Sequence, residues 1–118
     1  MKRIVSLVVV LAVAALTAFS VVAYAGQTRA NVATVKVTIK NFKFTLSKKS
    51  ARHGKVKFVV TNKDSIRHDF KIGGKKTPLL SKGQTKSFTV TLKKKKYTYI
   101  CTVPGHAAAG MKGTFKAT

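Results

Sequence analysis

Apolar residues recur at every second position over several short runs of this chain. In "TVKVTIK", Val35, Val37 and Ile39 fall on one face and Lys36, Thr38 and Lys40 on the other. "NFKFTL" repeats the alternation with Phe42, Phe44 and Leu46, "KVKFVV" with Val56, Phe58 and Val60, and "KSFTVTL" with Phe88, Val90 and Leu92. Successive side chains of a strand point to opposite faces, so this period of two predicts strands with one buried and one wet face. Between the runs lie "SKKSARHG", "TNKDS", "GGKKTP" and "SKGQT", whose residues favour turns. Residues 26–118 contain no amphipathic run of helical period. The pattern predicts an all-β fold, a sandwich or barrel of about seven to eight strands, built as one domain over residues 26–118.

The first residues follow another rule. Lys2 and Arg3 precede an apolar run from Ile4 to Val22, interrupted only by Ser6, Thr17 and Ser20, and "AYA" closes it at Ala25. That order reads residues 1–25 as a secretory signal peptide cleaved before Gly26. An uncleaved N-terminal membrane anchor is the competing reading, because the run is nearly long enough to span a bilayer. Either one puts the domain in an extracytoplasmic space: the periplasm, the cell surface or the surrounding medium.

Charge changes the picture of partners and leaves the fold alone. There are 24 lysines and arginines against two acidic residues, Asp64 and Asp69, for a net charge of +22. Lys36, Lys40, Lys43, Lys57 and Lys71 take the outward beat of their strands, where charge discourages edge-to-edge association. The run Lys93 to Lys96 turns a corner before a strand beginning at Tyr97. Such a surface keeps a protein soluble and draws it toward anionic partners. A basic β-domain that binds polyanions is one function this allows. The aromatics, however, share parity with the core instead of forming an exposed stacking stripe. No nucleic-acid recognition motif is present, and nucleic acid is not expected as a partner. Nor is an enzyme expected: two Asp and no Glu supply neither paired carboxylates nor a Ser–His–Asp set.

The candidate chemistry lies near the C-terminus. Cys101 is the only cysteine, so it has no internal disulfide partner. In "YTYIC" it shares parity with Tyr97 and Tyr99 and points inward. In "SIRHDFKI", His68 shares parity with Ile66, Phe70 and Ile72 and also points inward. After Cys101 the chain leaves the sheet through "TVPGH", where Pro104 and Gly105 suit a tight turn. It returns at Met111, before a last strand "KGTFKAT" that carries Phe115. His68, Cys101, His106 and Met111 therefore form a soft nitrogen–sulfur donor set. Two imidazoles and a thiolate with a thioether suit a blue-copper centre; zinc, which seldom recruits Met, fits less well. His53, in the loop "KKSARHGK", has no ligand spaced near it and reads as a solvated histidine.

"YTYICTVPGHAAAGMKG", together with "NKDSIRHDF", resembles the cupredoxins, the group containing plastocyanin and azurin. The resemblance covers residues 32–118 as a strand pattern and is most specific in C-x₄-H-x₄-M, whose second gap is one residue longer than the azurin pattern. It implies a Greek-key β-sandwich with one copper ion, cycling between Cu(I) and Cu(II), near one end. It also implies His68, Cys101 and His106 as the strong ligands, Met111 as the axial one, and His106 as the ligand nearest the surface. Asp69 stands where the family usually has Asn. It is expected to hold the ligand loop through Thr102 and, by its charge, to lower the reduction potential. Because Arg67 precedes His68, no extra backbone ligand is expected. Val103, Pro104, Ala107, Ala108 and Ala109, with Gly110, would ring His106 as a small apolar docking patch. The function implied is an exported type 1 (blue) copper protein, a monomer carrying one electron between partners. Those partners would be an acidic redox protein or an anionic membrane-surface complex, met transiently. Copper storage or delivery through the same ligands is the alternative.

Overall fold

The computed structural model describes residues 32–118, so the expected signal peptide or anchor over 1–25 lies outside the described residues. Nine strands follow in order: β1 (Ala33–Lys40), β2 (Lys43–Leu46), β3 (Ser50–Ala51), β4 (Gly54–Asn62), β5 (Lys71–Ile72), β6 (Lys75–Lys76), β7 (Thr85–Leu92), β8 (Lys95–Ile100) and β9 (Lys112–Ala117). They form a four-stranded sheet in the order β2-β1-β4-β7 and a five-stranded sheet in the order β3-β9-β8-β5-β6. The chain crosses repeatedly between the two sheets, giving an all-β sandwich of Greek-key type. The strand total exceeds the seven or eight expected because β3, β5 and β6 are each two residues long, too short to leave an alternating signature.

The alternation does what half-buried strands require. Val35, Val37 and Ile39 of β1 and Val56, Phe58 and Val60 of β4 are buried, as are Val90 and Leu92 of β7. β1 and β4 run parallel with Val35 opposite Phe58 and Val37 opposite Val60, while β4 and β7 run antiparallel with Val56 opposite Val90. Tyr99 and Phe115 face them from the second sheet. Phe58 sits at the meeting point, with ring centroids 5.4 Å from both Phe70 and Phe115 and 5.8 Å from Phe88. Rings tilted or edge-on at such spacings gain electrostatically beyond the area they bury. One close approach is enforced: Gly113 pairs with Tyr99 across β8 and β9, and the Tyr99 ring occupies the space that any side chain at 113 would need.

Two expected strands are shortened by turns. "NFKFTL" enters the sheet only at Lys43, because Asn41 and Phe42 form the two-residue loop of the β1–β2 hairpin. Both have positive φ, 53° and 58°, as a type I′ turn requires. Asn tolerates this region, but for Phe it costs about 1–2 kcal/mol. "SIRHDFKI" is not a continuous strand either. His68 makes an isolated antiparallel bridge with Leu80, and pairing resumes at Lys71. The cause lies at the end of β4. The buried Asn62 side chain donates to the carbonyls of Ile66 (2.9 Å) and Leu80 (2.7 Å) and accepts from the N–H of Asp64 (2.9 Å). Bent around this amide, the chain loses its period of two. Ile66 is 46% exposed despite its parity with His68, and Asp69 is buried despite the opposite parity.

Phe58→Ala should lower the unfolding free energy of the metal-free protein by about 3–5 kcal/mol. Equilibrium denaturation against wild type measures it, and a loss below about 1 kcal/mol would show that Phe58 does not tie the two sheets together.

Candidate metal centre

Cys101 follows directly on β8, and the segment to Met111 is a loop closed at its neck. The Cys101 N–H donates to the Met111 carbonyl (3.1 Å), and the Met111 N–H donates to the His106 carbonyl (3.0 Å). Inside the neck, the His106 N–H donates to the Val103 carbonyl (3.0 Å). Pro104 and Gly105 lie between them, Gly105 at φ 84°, the positions that a type II turn reserves for Pro and Gly. The loop thus folds His106 back over Cys101. From the other side, His68 is fixed by its bridge: its carbonyl accepts from the Leu80 N–H (2.8 Å) and its N–H donates to the Leu80 carbonyl (3.3 Å).

These frames bring three of the expected ligands together. The ligand atoms of His68, Cys101 and His106 all lie within 4.8 Å of one another. The two Nδ1 atoms are 3.1 Å apart, and Cys101 Sγ is 3.5 Å from His106 Nδ1. His68 and Cys101 are fully buried, whereas His106 is half-buried. Met111 is fully buried in the same core cluster, its backbone forming the neck beside both Cys101 and His106. His53 is not part of the group; its Nδ1 pairs with the Thr118 carbonyl oxygen (2.8 Å).

Asp69 and Thr102 stand directly behind the sulfur. The Thr102 N–H donates to Asp69 Oδ1 (2.6 Å), and the Thr102 hydroxyl donates to Asp69 Oδ2. The Asp69 N–H is itself directed at Cys101 Sγ, 3.5 Å away. This carboxylate therefore ties the His68 segment to the start of the Cys101 loop. Burial pushes the Cys101 thiol above its ordinary pKa; the N–H groups of Asp69 and Val103 pull it down, and the Asp69 charge adds to the upward push. Metal-free Cys101 is consequently a neutral thiol at neutral pH.

Two contributors escaped the sequence reading. Asp64 Oδ2 accepts a hydrogen bond from His68 Nε2 (2.9 Å). The same carboxylate accepts from the N–H of Asn41 (2.6 Å) and of Phe42 (3.0 Å), which offsets the strain of the positive-φ turn. Desolvation raises the Asp64 pKa, but these two N–H groups and His68 outweigh it, so the group lies below the usual carboxylate range. Phe42 stands edge-on to both imidazoles, with centroids 5.0 Å from His68 and 4.9 Å from His106. The sequence signal for Asp64 is its place four residues before His68 in a chain with one other acid; nothing local announces Phe42.

Two imidazole nitrogens face each other beside a sulfur under an aromatic cover, with a buried thioether residue at the neck. With a carboxylate as the acceptor beside it, a neutral His68 ring carries its hydrogen on Nε2, and its Nδ1 then presents a lone pair to the centre. Such a set fits a soft or borderline cation of copper type.

The family model for copper binding proteins of the plastocyanin/azurin family matches residues 19–118. No curated protein matches the sequence. Among solved structures, the chain is similar to the dithionite-reduced auracyanin of the photosynthetic bacterium Roseiflexus castenholzii (20% identity over 72% of this chain and 96% of that one, TM-score 0.63). It is also similar to auracyanin B (24% identity, 77% and 92%, TM-score 0.67). A third likeness is to auracyanin A, a "blue" copper protein of Chloroflexus aurantiacus (18% identity, 75% and 100%, TM-score 0.63). At these identities the structural likeness speaks for the fold.

The neutral thiol has a measurable consequence. Copper binding must displace the Cys101 proton, so above the imidazole range apparent copper affinity should rise by about tenfold per pH unit until the raised thiol pKa is passed. Competition titration over that range reads it, and an affinity flat with pH would contradict a thiol ligand.

Proposed function

The chain belongs to the plastocyanin/azurin family of copper-binding proteins, and from this we propose that it is an exported type 1 (blue) copper protein, a carrier of single electrons and not an enzyme. The observation that carries the reading is the convergence of His68, Cys101 and His106 within 4.8 Å from two separate segments. In the proposal these three would hold the copper ion strongly, and Met111 would contribute a weaker thioether contact. Copper supplies a one-electron couple between Cu(I) and Cu(II).

The chain's own residues supply the conditions for fast exchange. The Cys101–Met111 neck and the His68–Leu80 bridge hold the donors on sheet ends that have little freedom to rearrange as charge changes. The buried positions of His68 and Cys101 keep water from the sulfur. They also favour a retained ion over one exchanged in storage or delivery, which is the alternative use of the same donors. Half-buried His106 is the proposed point of electron entry and exit. Around it, exposed Pro104, Ala108 and Ala109 and half-buried Val103 and Ala107 offer small apolar side chains that exclude water without clamping a partner. Such a patch suits a brief encounter, and the lysine-rich surface suits an acidic redox protein or an anionic membrane-surface complex. We read residues 1–25 as the export signal or a retained anchor, residues 26–118 as the copper domain, and the protein as a monomer in the periplasm or at the cell surface.

Two outcomes are expected. Cu(II) added to the purified protein should produce intense visible absorption from thiolate-to-copper charge transfer, lost in Cys101→Ser; a colourless wild type would end the proposal. Association rates with the redox partner should fall as ionic strength rises, and rates flat with salt would overturn the electrostatic part.

A further inference from the structure

A chain with 24 cationic side chains has two carboxylates, Asp64 and Asp69, and both are committed to the metal centre instead of to surface lysines. Asp69 is bonded to Thr102 beside Cys101; Asp64 is bonded to His68. Asp64 also reaches further than its partner. Its Oδ2 takes the His68 Nε2 hydrogen (2.9 Å) and the Phe42 N–H (3.0 Å), while Oδ1 takes the Asn41 N–H (2.6 Å). Its own backbone is held by Asn62, whose amide also binds the carbonyl of Leu80, the bridge partner of His68. Donor ring and carboxylate are thus fixed to one frame.

We propose that Asp64 is a positioning residue for the metal centre: one carboxylate sets which nitrogen of His68 faces the ion, seats Phe42 over both imidazoles, and biases the ion toward its oxidised state. The first effect follows from bonding. An acceptor-only group at Nε2 obliges that nitrogen to carry the hydrogen, leaving the Nδ1 lone pair facing His106 Nδ1 at 3.1 Å. The second follows from the turn. Phe42 adopts a φ of 58°, and its N–H is held by the carboxylate that holds His68, so the ring is brought edge-on to both imidazoles. The third follows from charge. A carboxylate one hydrogen bond behind a ligand, with a side chain only 12% exposed, stabilises the more highly charged ion and makes the imidazole a stronger donor. It opposes the field of the rest of the chain.

The electronic part rests on the copper reading; the tautomer part does not, and the test separates them. In metal-free wild type, above the imidazole range, long-range proton–nitrogen spectra should show His68 protonated at Nε2. Asp64→Asn keeps an acceptor oxygen and removes the charge; copper-loaded, it should have a higher midpoint potential than wild type. Asp64→Ala removes both, and should add a mixed His68 tautomer and a copper affinity lower by about 10- to 100-fold. Asp64→Glu, which returns the charge, should bring the potential back toward wild type. A wild-type His68 protonated at Nδ1 would overturn the proposal, as would a potential unmoved or lowered in Asp64→Asn with the blue band intact. If Asp64→Ala does not fold, the wild-type tautomer and the Asn variant decide. A wild type that takes up no copper refutes the carrier reading, and the tautomer alone then decides the role of Asp64.

Discussion

The side chain of Asn62 is where strand geometry is converted into site geometry. It is fully buried at the end of β4, and its hydrogen-bonding groups find partners in the loops that follow: Ile66 and Leu80 carbonyls for the amine, the Asp64 N–H for the oxygen. A buried amide without partners is expensive, and one so fully paired defines the backbone around it closely. The chain must bend after β4, and that bend turns Ile66 outward, His68 inward and Asp64 toward the His68 ring. The same strand end is tied by the Gly83 N–H to the Asn62 carbonyl (2.6 Å) and by the Lys63 N–H to the Ile39 carbonyl (2.8 Å). The first sheet thereby determines where a donor of the centre stands.

The second sheet contributes through a different device. Cys101 and Met111 flank the loop between the antiparallel partners β8 and β9, and backbone bonds hold the loop's neck and its Pro104–Gly105 turn. Here the donors need no buried amide, because register does the work: the Tyr99–Gly113 and Ile100–Lys112 pairs place the strand ends opposite each other before the loop begins. The two half-sites then meet through Asp69, whose carboxylate comes from the His68 side and whose partner, Thr102, follows Cys101. Electrostatics reinforce the division. The surface repels itself, while one negative side chain is bonded to His68 and the other to Thr102 beside Cys101.

What the sequence disclosed follows from which forces were local. Val35, Val37 and Ile39, like Val56, Phe58 and Val60, declare themselves because a half-buried strand writes its two faces directly into alternating residue types. Cys101, His106 and Met111 were legible because one loop contains all three, and Asp69 because it neighbours a donor. The conformation of Asn41 and Phe42 was not legible. A positive φ at Phe is unfavourable by itself, and the acceptor that supports it, Asp64, is remote in sequence. Ile66 misled for a related reason: parity holds only while the backbone stays extended, and a side chain on β4 ends that extension. Short strands such as β5 and β6 lie below the length at which alternation means anything.

The contact between Tyr99 and Gly113 bears on how this protein can vary. Even a methyl at 113 would strike the phenol ring, and the strand carrying that ring runs straight into the thiol two residues later. A larger residue at 113 therefore requires that ring to move or to be replaced. Substitution at 113 is thus eased where residue 99 is smaller, so what one position tolerates depends on the other. An alignment of descendants should find the two positions changing in concert or staying frozen.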